Sequence, residues 1–81
     1  MKAHHGKATG DWEAVFGRRR NRTRALTLVR RVRSKGFSCA VIEREQHLYE
    51  IAIIGLHTQV AAQEIVYRGF RKGLKVTIAQ S

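Results

Sequence analysis

Apolar residues fall on alternate positions at Trp12, Ala14 and Phe16, the period-2 pattern of a strand with one buried face. Past a polar stretch the period changes. Ala25, Leu28, Val29 and Val32 follow i, i+3, i+4, i+7 spacing, which predicts a helix with Asn21 as its N-cap. Gly36 stands where a left-handed C-terminal cap belongs, and Phe37 beyond it can fold back on the last turn. Alternation resumes over Ser38–Arg44, with Cys39 and Val41 on the core side. A second round repeats this plan. Leu48–Ile54 reads as a strand, Thr58 as a cap, Ala62, Ile65, Val66 and Gly69 as a helix stripe, Gly73 as a stop and Lys75–Ala79 as a strand.

The two rounds align without a gap when the chain is shifted by 37 residues, laying Trp12–Val41 over Tyr49–Ile78. Identities fall at Glu13/Glu50, Ala25/Ala62, Val29/Val66, Arg31/Arg68, Lys35/Lys72 and Gly36/Gly73. Two β-α-β units joined by a tight Glu45–Gln46–His47 link predict an α+β fold, the ferredoxin-like β-α-β-β-α-β sandwich. It has a four-stranded antiparallel sheet with both helices on one face. The expected core is Trp12, Ala14, Phe16, Cys39, Val41, Tyr49, Ile51, Ile53, Val76 and Ile78. Gly69 in mid-helix costs about 1 kcal/mol of propensity, so a close approach of helix to neighbour is expected there.

Eighty-one residues suffice for a single domain, expected over residues 11–81, behind a flexible polar arm at Met1–Gly10. The lone Cys39 excludes an internal disulfide. The histidines lack metal-ligand spacing: His4 and His5 are adjacent, and His47 and His57 have no Cys, Asp or His partner in register. No metal or cofactor is therefore expected. The chain has no run long enough for a membrane span and no apolar leader, so a cytoplasmic protein is expected.

Charge sharpens the picture. The formal charge is +10, and nine of the sixteen Lys and Arg residues lie between Arg18 and Lys35. No acidic residue occurs from Ala14 to Ile42. Arg18, Arg19, Arg20, Arg22 and Arg24 crowd the expected N-terminus of the first helix beside Asn21, where cations oppose the helix dipole. Such a cluster makes sense if an anion docks on the helix-end N–H groups and guanidinium forks. Arg30, Arg31 and Arg33 extend the cationic surface along the same helix.

Aromatic–x–apolar–x–apolar–Gly at Trp12–Gly17, then Asn21, Ala25, Leu28, Val32 and Lys35–Phe37, resembles the SPOR domain. The second half supplies Leu48–Tyr49, Ile51, Ile53, Thr58, Ala62, Ile65 and Lys72–Leu74, so the resemblance covers about residues 12–79. It implies the same fold, and binding of peptidoglycan glycan strands across the open sheet and nearby loops. The first-strand polar residue that SPOR domains often carry corresponds to Val15, and the aromatic after the glycine corresponds to Arg19.

Three non-catalytic functions stay open. The first expectation is nucleic-acid binding through phosphate contacts from the arginine-rich loop and first helix. The second is SPOR-like glycan binding. The third is assembly, with homo-oligomer formation through the open sheet face (Val15, Ile42, Ala52) or partner contact through Tyr67 and Phe70 on the second helix. No enzyme is expected, because no nucleophile–base set or paired carboxylates stand out.

Overall fold

The computed structural model describes residues 12–80, so the arm at Met1–Gly10, with His4 and His5, lies outside the described residues. Element order is β1 (Trp12–Arg19), α1 (Arg22–Ser34), β2 (Ala40–Glu45), β3 (Leu48–Leu56), α2 (Gln59–Arg71) and β4 (Thr77–Gln80). The strands form one antiparallel sheet in the order β2-β3-β1-β4. The ferredoxin-like topology expected from the two-fold pattern is therefore present, and the two helices are separated by the same 37-residue shift.

Local chemistry at the helix ends follows the sequence. The Asn21 side chain accepts from the Arg24 amide at 3.2 Å, and the Thr58 hydroxyl accepts from the Ala61 amide at 3.0 Å. Gly36 and Gly73 terminate the helices with φ of 98° and 80°, the left-handed region where a side chain would be strained. Ala14, Phe16, Ala25, Val29, Val32, Phe37, Cys39, Tyr49, Ile51, Leu74 and Val76 make the core between helices and sheet. The Phe16 and Phe37 rings meet at 5.3 Å between centroids.

Element bounds differ from the expected ones where edges and turns intervene. β1 continues to Arg19, because its central position gives it pairing partners in β3 as far as Tyr49. β2 and β4 start later, at Ala40 and Thr77, since the chain must first descend from each helix past the buried Cys39 and Val76. Glu45 pairs with Leu48, leaving a tight turn at Gln46–His47 with His47 at φ 63°.

The close approach expected at Gly69 is real. A Cβ there would stand 2.5 Å from Val76 Cγ2. In the first half the equivalent positions hold Val32 and Cys39, so the larger group is on the helix in one unit and beside the sheet in the other. Gly69→Ala is expected to lower the unfolding free energy by about 1 kcal/mol despite its better helix propensity, because overpacking outweighs the gain. In a Val76→Ala background the same change is expected to be neutral or stabilising. Urea denaturation of the four variants checks this, and additive effects would contradict it.

Candidate functional site

The site begins with a change of side-chain parity in β1. Val15 pairs with Ala52 but Gly17 pairs with Ile51, so Phe16 is an extra residue, a β-bulge. Phe16 packs in the core, and a Cβ on Gly17 would stand 2.9 Å from Leu28 Cδ2 of α1, so both residues face the helices. Beyond the bulge, Arg18 comes out on the open face of the sheet and Arg19 on the helix side.

On the open face Arg18 meets a group that charge patterning did not reveal. Glu13 and Glu50, only 6% and 4% exposed, are the buried charged residues among those described. Arg44 joins them. Its Nη2 lies 2.7 and 2.9 Å from the Glu13 oxygens, and its Nε lies 2.9 Å from Glu50 Oε1. Arg18 Nη2 approaches Glu50 Oε2 at 3.0 Å. Glu45, not Arg44, pairs with Leu48, an irregularity at the end of β2 next to Arg44. The signal in the sequence was the Glu13/Glu50 identity, the one acidic pair common to both halves.

The carboxylates are fixed and the guanidiniums remain accessible: the Arg44 and Arg18 side chains are 42% and 55% exposed. They border a depression of about 350 Å³ with Leu48, Ala79 and Gln80. Val15 and Ala52, expected as an exposed interface, are instead buried. They pair on the central strands between Glu13 and Glu50, and the ion pairs joining those carboxylates span them. Ile42, opposite Glu50, is half-buried.

The arginine-rich loop is redistributed. Arg18 and Arg19 belong to β1, so the connection to α1 is only Arg20–Asn21. Asn21 already fills the Arg24 amide, which leaves the helix end a poorer anion cradle than expected. Arg33 is engaged rather than free: its Nε and Nη2 donate to the Cys39 carbonyl at 3.1 and 2.9 Å, tying the end of α1 to the entry of β2. Arg19, Arg24 and Arg31 gather around a depression where α1 meets the end of β1, while Arg20, Arg22 and Arg30 are exposed. Tyr67 and Phe70 are 61% and 75% exposed on α2, with the Arg71 guanidinium 5.6 Å from the Tyr67 ring. Among the described residues there is no cluster of His, Cys, Asp and Glu able to hold a metal, and no helix is long and apolar enough to cross a membrane.

The two carboxylates titrate in opposite directions. Burial, then the hydrogen bond with Glu50, push Glu13 above its ordinary 4.5, and Arg44 only partly offsets them. Burial also raises Glu50, but hydrogen bonds from Glu13 and Arg44 and the charges of Arg44 and Arg18 outweigh it and hold Glu50 low. Two guanidiniums serve Glu50, and one serves Glu13. Glu13 therefore contributes stability that is full below pH 4.5 and lost as pH rises through its raised value. Glu50 contributes stability present above pH 4.5 and lost as pH falls. Glu13→Gln is expected to stabilise the domain at neutral pH by up to about 1 kcal/mol, with the advantage shrinking toward the ordinary carboxylate range. Thermal unfolding across that interval checks the sign. Arg44→Leu is expected to cost about 2 kcal/mol at neutral pH, less than a fully buried pair because Arg44 is half in solvent.

Comparison with protein-family models gives no match to this chain, and neither does comparison with curated protein sequences. Among solved structures, the peptidoglycan binding domain of the B. subtilis cell wall lytic enzyme CwlC is similar in fold. It superposes with a TM-score of 0.78 over 89% of this chain and 90% of that one, at 19% sequence identity. The chain thus has the SPOR-like fold that its strand, cap and helix motifs resemble.

Proposed function

We propose that this domain is a non-catalytic module that binds peptidoglycan glycan strands on the open face of its sheet. The observation that carries the reading is the pair of half-exposed guanidiniums, Arg44 and Arg18, held in place by the buried Glu13 and Glu50. A guanidinium fixed on one side by carboxylates offers its remaining N–H groups outward at little further entropic cost, in a planar fork. Hydroxyl, acetamide and carboxylate oxygens of a glycan are suitable acceptors for it. Leu48 at the rim supplies an apolar surface for the C–H side of a sugar ring, and Gln80 supplies an amide. The CwlC domain, whose described activity is peptidoglycan binding, has the same fold over most of both chains, which supports this reading.

Nucleic-acid binding, the first expectation from charge alone, has less support on this face. Among the described residues no aromatic side chain stands on it for base stacking. A glycan partner also differs from the cytoplasmic setting expected from the polarity of the chain.

The test is co-sedimentation with purified, peptide-stripped peptidoglycan at physiological salt. Retention of the wild-type domain is expected, with Arg18→Gln and Arg44→Gln each weakening it about tenfold, the loss of one charge-assisted pair. Unchanged circular dichroism of the Arg18→Gln protein separates binding from folding. Absence of wild-type retention would sink the proposal.

A further inference from the structure

The second arginine cluster lies on the helix side of the sheet and is independent of the glycan reading. Arg24, Thr27, Leu28 and Arg31 occupy one stripe of α1 at i, i+3, i+4, i+7 spacing, and Arg19 reaches them from the end of β1. Together they surround a depression of about 230 Å³. Leu28, half-buried, forms its apolar floor.

Gly17 leaves room for the meeting. Arg19 Nη1 lies only 3.3 Å from where a Gly17 Cβ would be, so the absence of a side chain lets the guanidinium fold back along its own strand. There Nη1 donates to the Arg18 carbonyl at 2.7 Å, which orients Arg19 before any ligand arrives. Thr27 spends its hydroxyl proton on the Thr23 carbonyl at 3.1 Å, so the donors left for a ligand are guanidinium groups.

None of Arg19, Arg24 and Arg31 has a carboxylate partner among the described residues. Three unneutralised guanidiniums around one depression repel each other, and this arrangement costs folding stability unless an anion occupies it. Three forks suit an anion with at least three acceptor oxygens and more than one charge. A carboxylate or a phosphodiester offers two free oxygens and one charge, whereas inorganic phosphate or a phosphomonoester matches both numbers.

We infer that Arg19, Arg24 and Arg31 form a phosphate-binding site where α1 meets the end of β1, recognising the dianionic phosphate group of a phosphomonoester. With glycan on the open sheet face, the domain would engage two ligands on opposite sides of one sheet.

The experiment is a heteronuclear NMR titration that follows arginine side-chain Nε–H signals. The probes are inorganic phosphate and a short single-stranded DNA as a phosphodiester chain, with acetate at matched ionic strength as control. Saturable shifts of Arg19, Arg24 and Arg31 with phosphate, absent with acetate, are expected. Arg24→Gln/Arg31→Gln is expected to weaken phosphate binding about tenfold or more while leaving peptidoglycan retention unchanged. Binding of the DNA as tight as that of phosphate or tighter, with an affinity that falls steeply with salt, would overturn the inference in favour of a phosphodiester chain. Weaker binding of the DNA than of phosphate is the result expected of a monoester site. If neither probe moves these three signals beyond the acetate control, or if the double variant binds as the wild type does, the inference is overturned.

Discussion

One extra residue in β1 decides which side of the sheet each arginine serves. Without the bulge at Phe16, strict alternation would put Arg18 with Ala14 on the helix side and Arg19 with Val15 on the open face. The bulge reverses this. Phe16 and Gly17 both turn toward α1, Arg18 reaches Glu50, and Arg19 reaches Arg24 and Arg31. A Cβ on Gly17 would stand 2.9 Å from Leu28 Cδ2 and 3.3 Å from Arg19 Nη1, so glycine lets both side chains lie against the strand without shifting. The place of Arg18 on the open face and that of Arg19 in the cationic depression are both consequences of that local irregularity.

The near-repetition of the chain explains what is symmetric and what is not. Glu13 and Glu50 occupy equivalent positions on the two central strands, and both carboxylates are turned onto the open face. A pair of buried like charges would be unfavourable alone. Arg44 and Arg18 resolve it, and neither has a cationic counterpart in the other half: Arg18 answers to Gly55, and Arg44 to Ser81. The packing is asymmetric in the same way, with Val32 and Cys39 in one unit and Gly69 and Val76 in the other. A two-fold plan thus carries its asymmetry in a few residues of one half.

Much of the fold was legible because short-range chemistry specifies it. Asn21 and Thr58 cap, Gly36 and Gly73 stop, and the helix stripes face the core, with Ala25, Val29, Val32, Ala62 and Gly69 buried and Leu28, Ile65 and Val66 half-buried against it. The candidate site was legible only in part. Clustering of arginines along Arg18–Arg33 is a one-dimensional fact. Their division into Arg18 on the sheet, Arg33 on the Cys39 carbonyl and Arg19 with Arg24 and Arg31 depends on neighbours distant in sequence. Val15 and Ala52 were read as exposed because a period-2 pattern assigns a face but cannot say what lies over it.

The sequence by itself determined the order of elements, the two-fold plan, the helix ends, most of the core and the close approach at Gly69, because periodicity, caps and residue volume act within a few residues. Tertiary structure alone decided the bulge, the burial of Glu13 and Glu50 and the partners of each arginine. Those depend on strand register across β2, β3 and β1, and a shift of one residue there exchanges the two faces of the sheet.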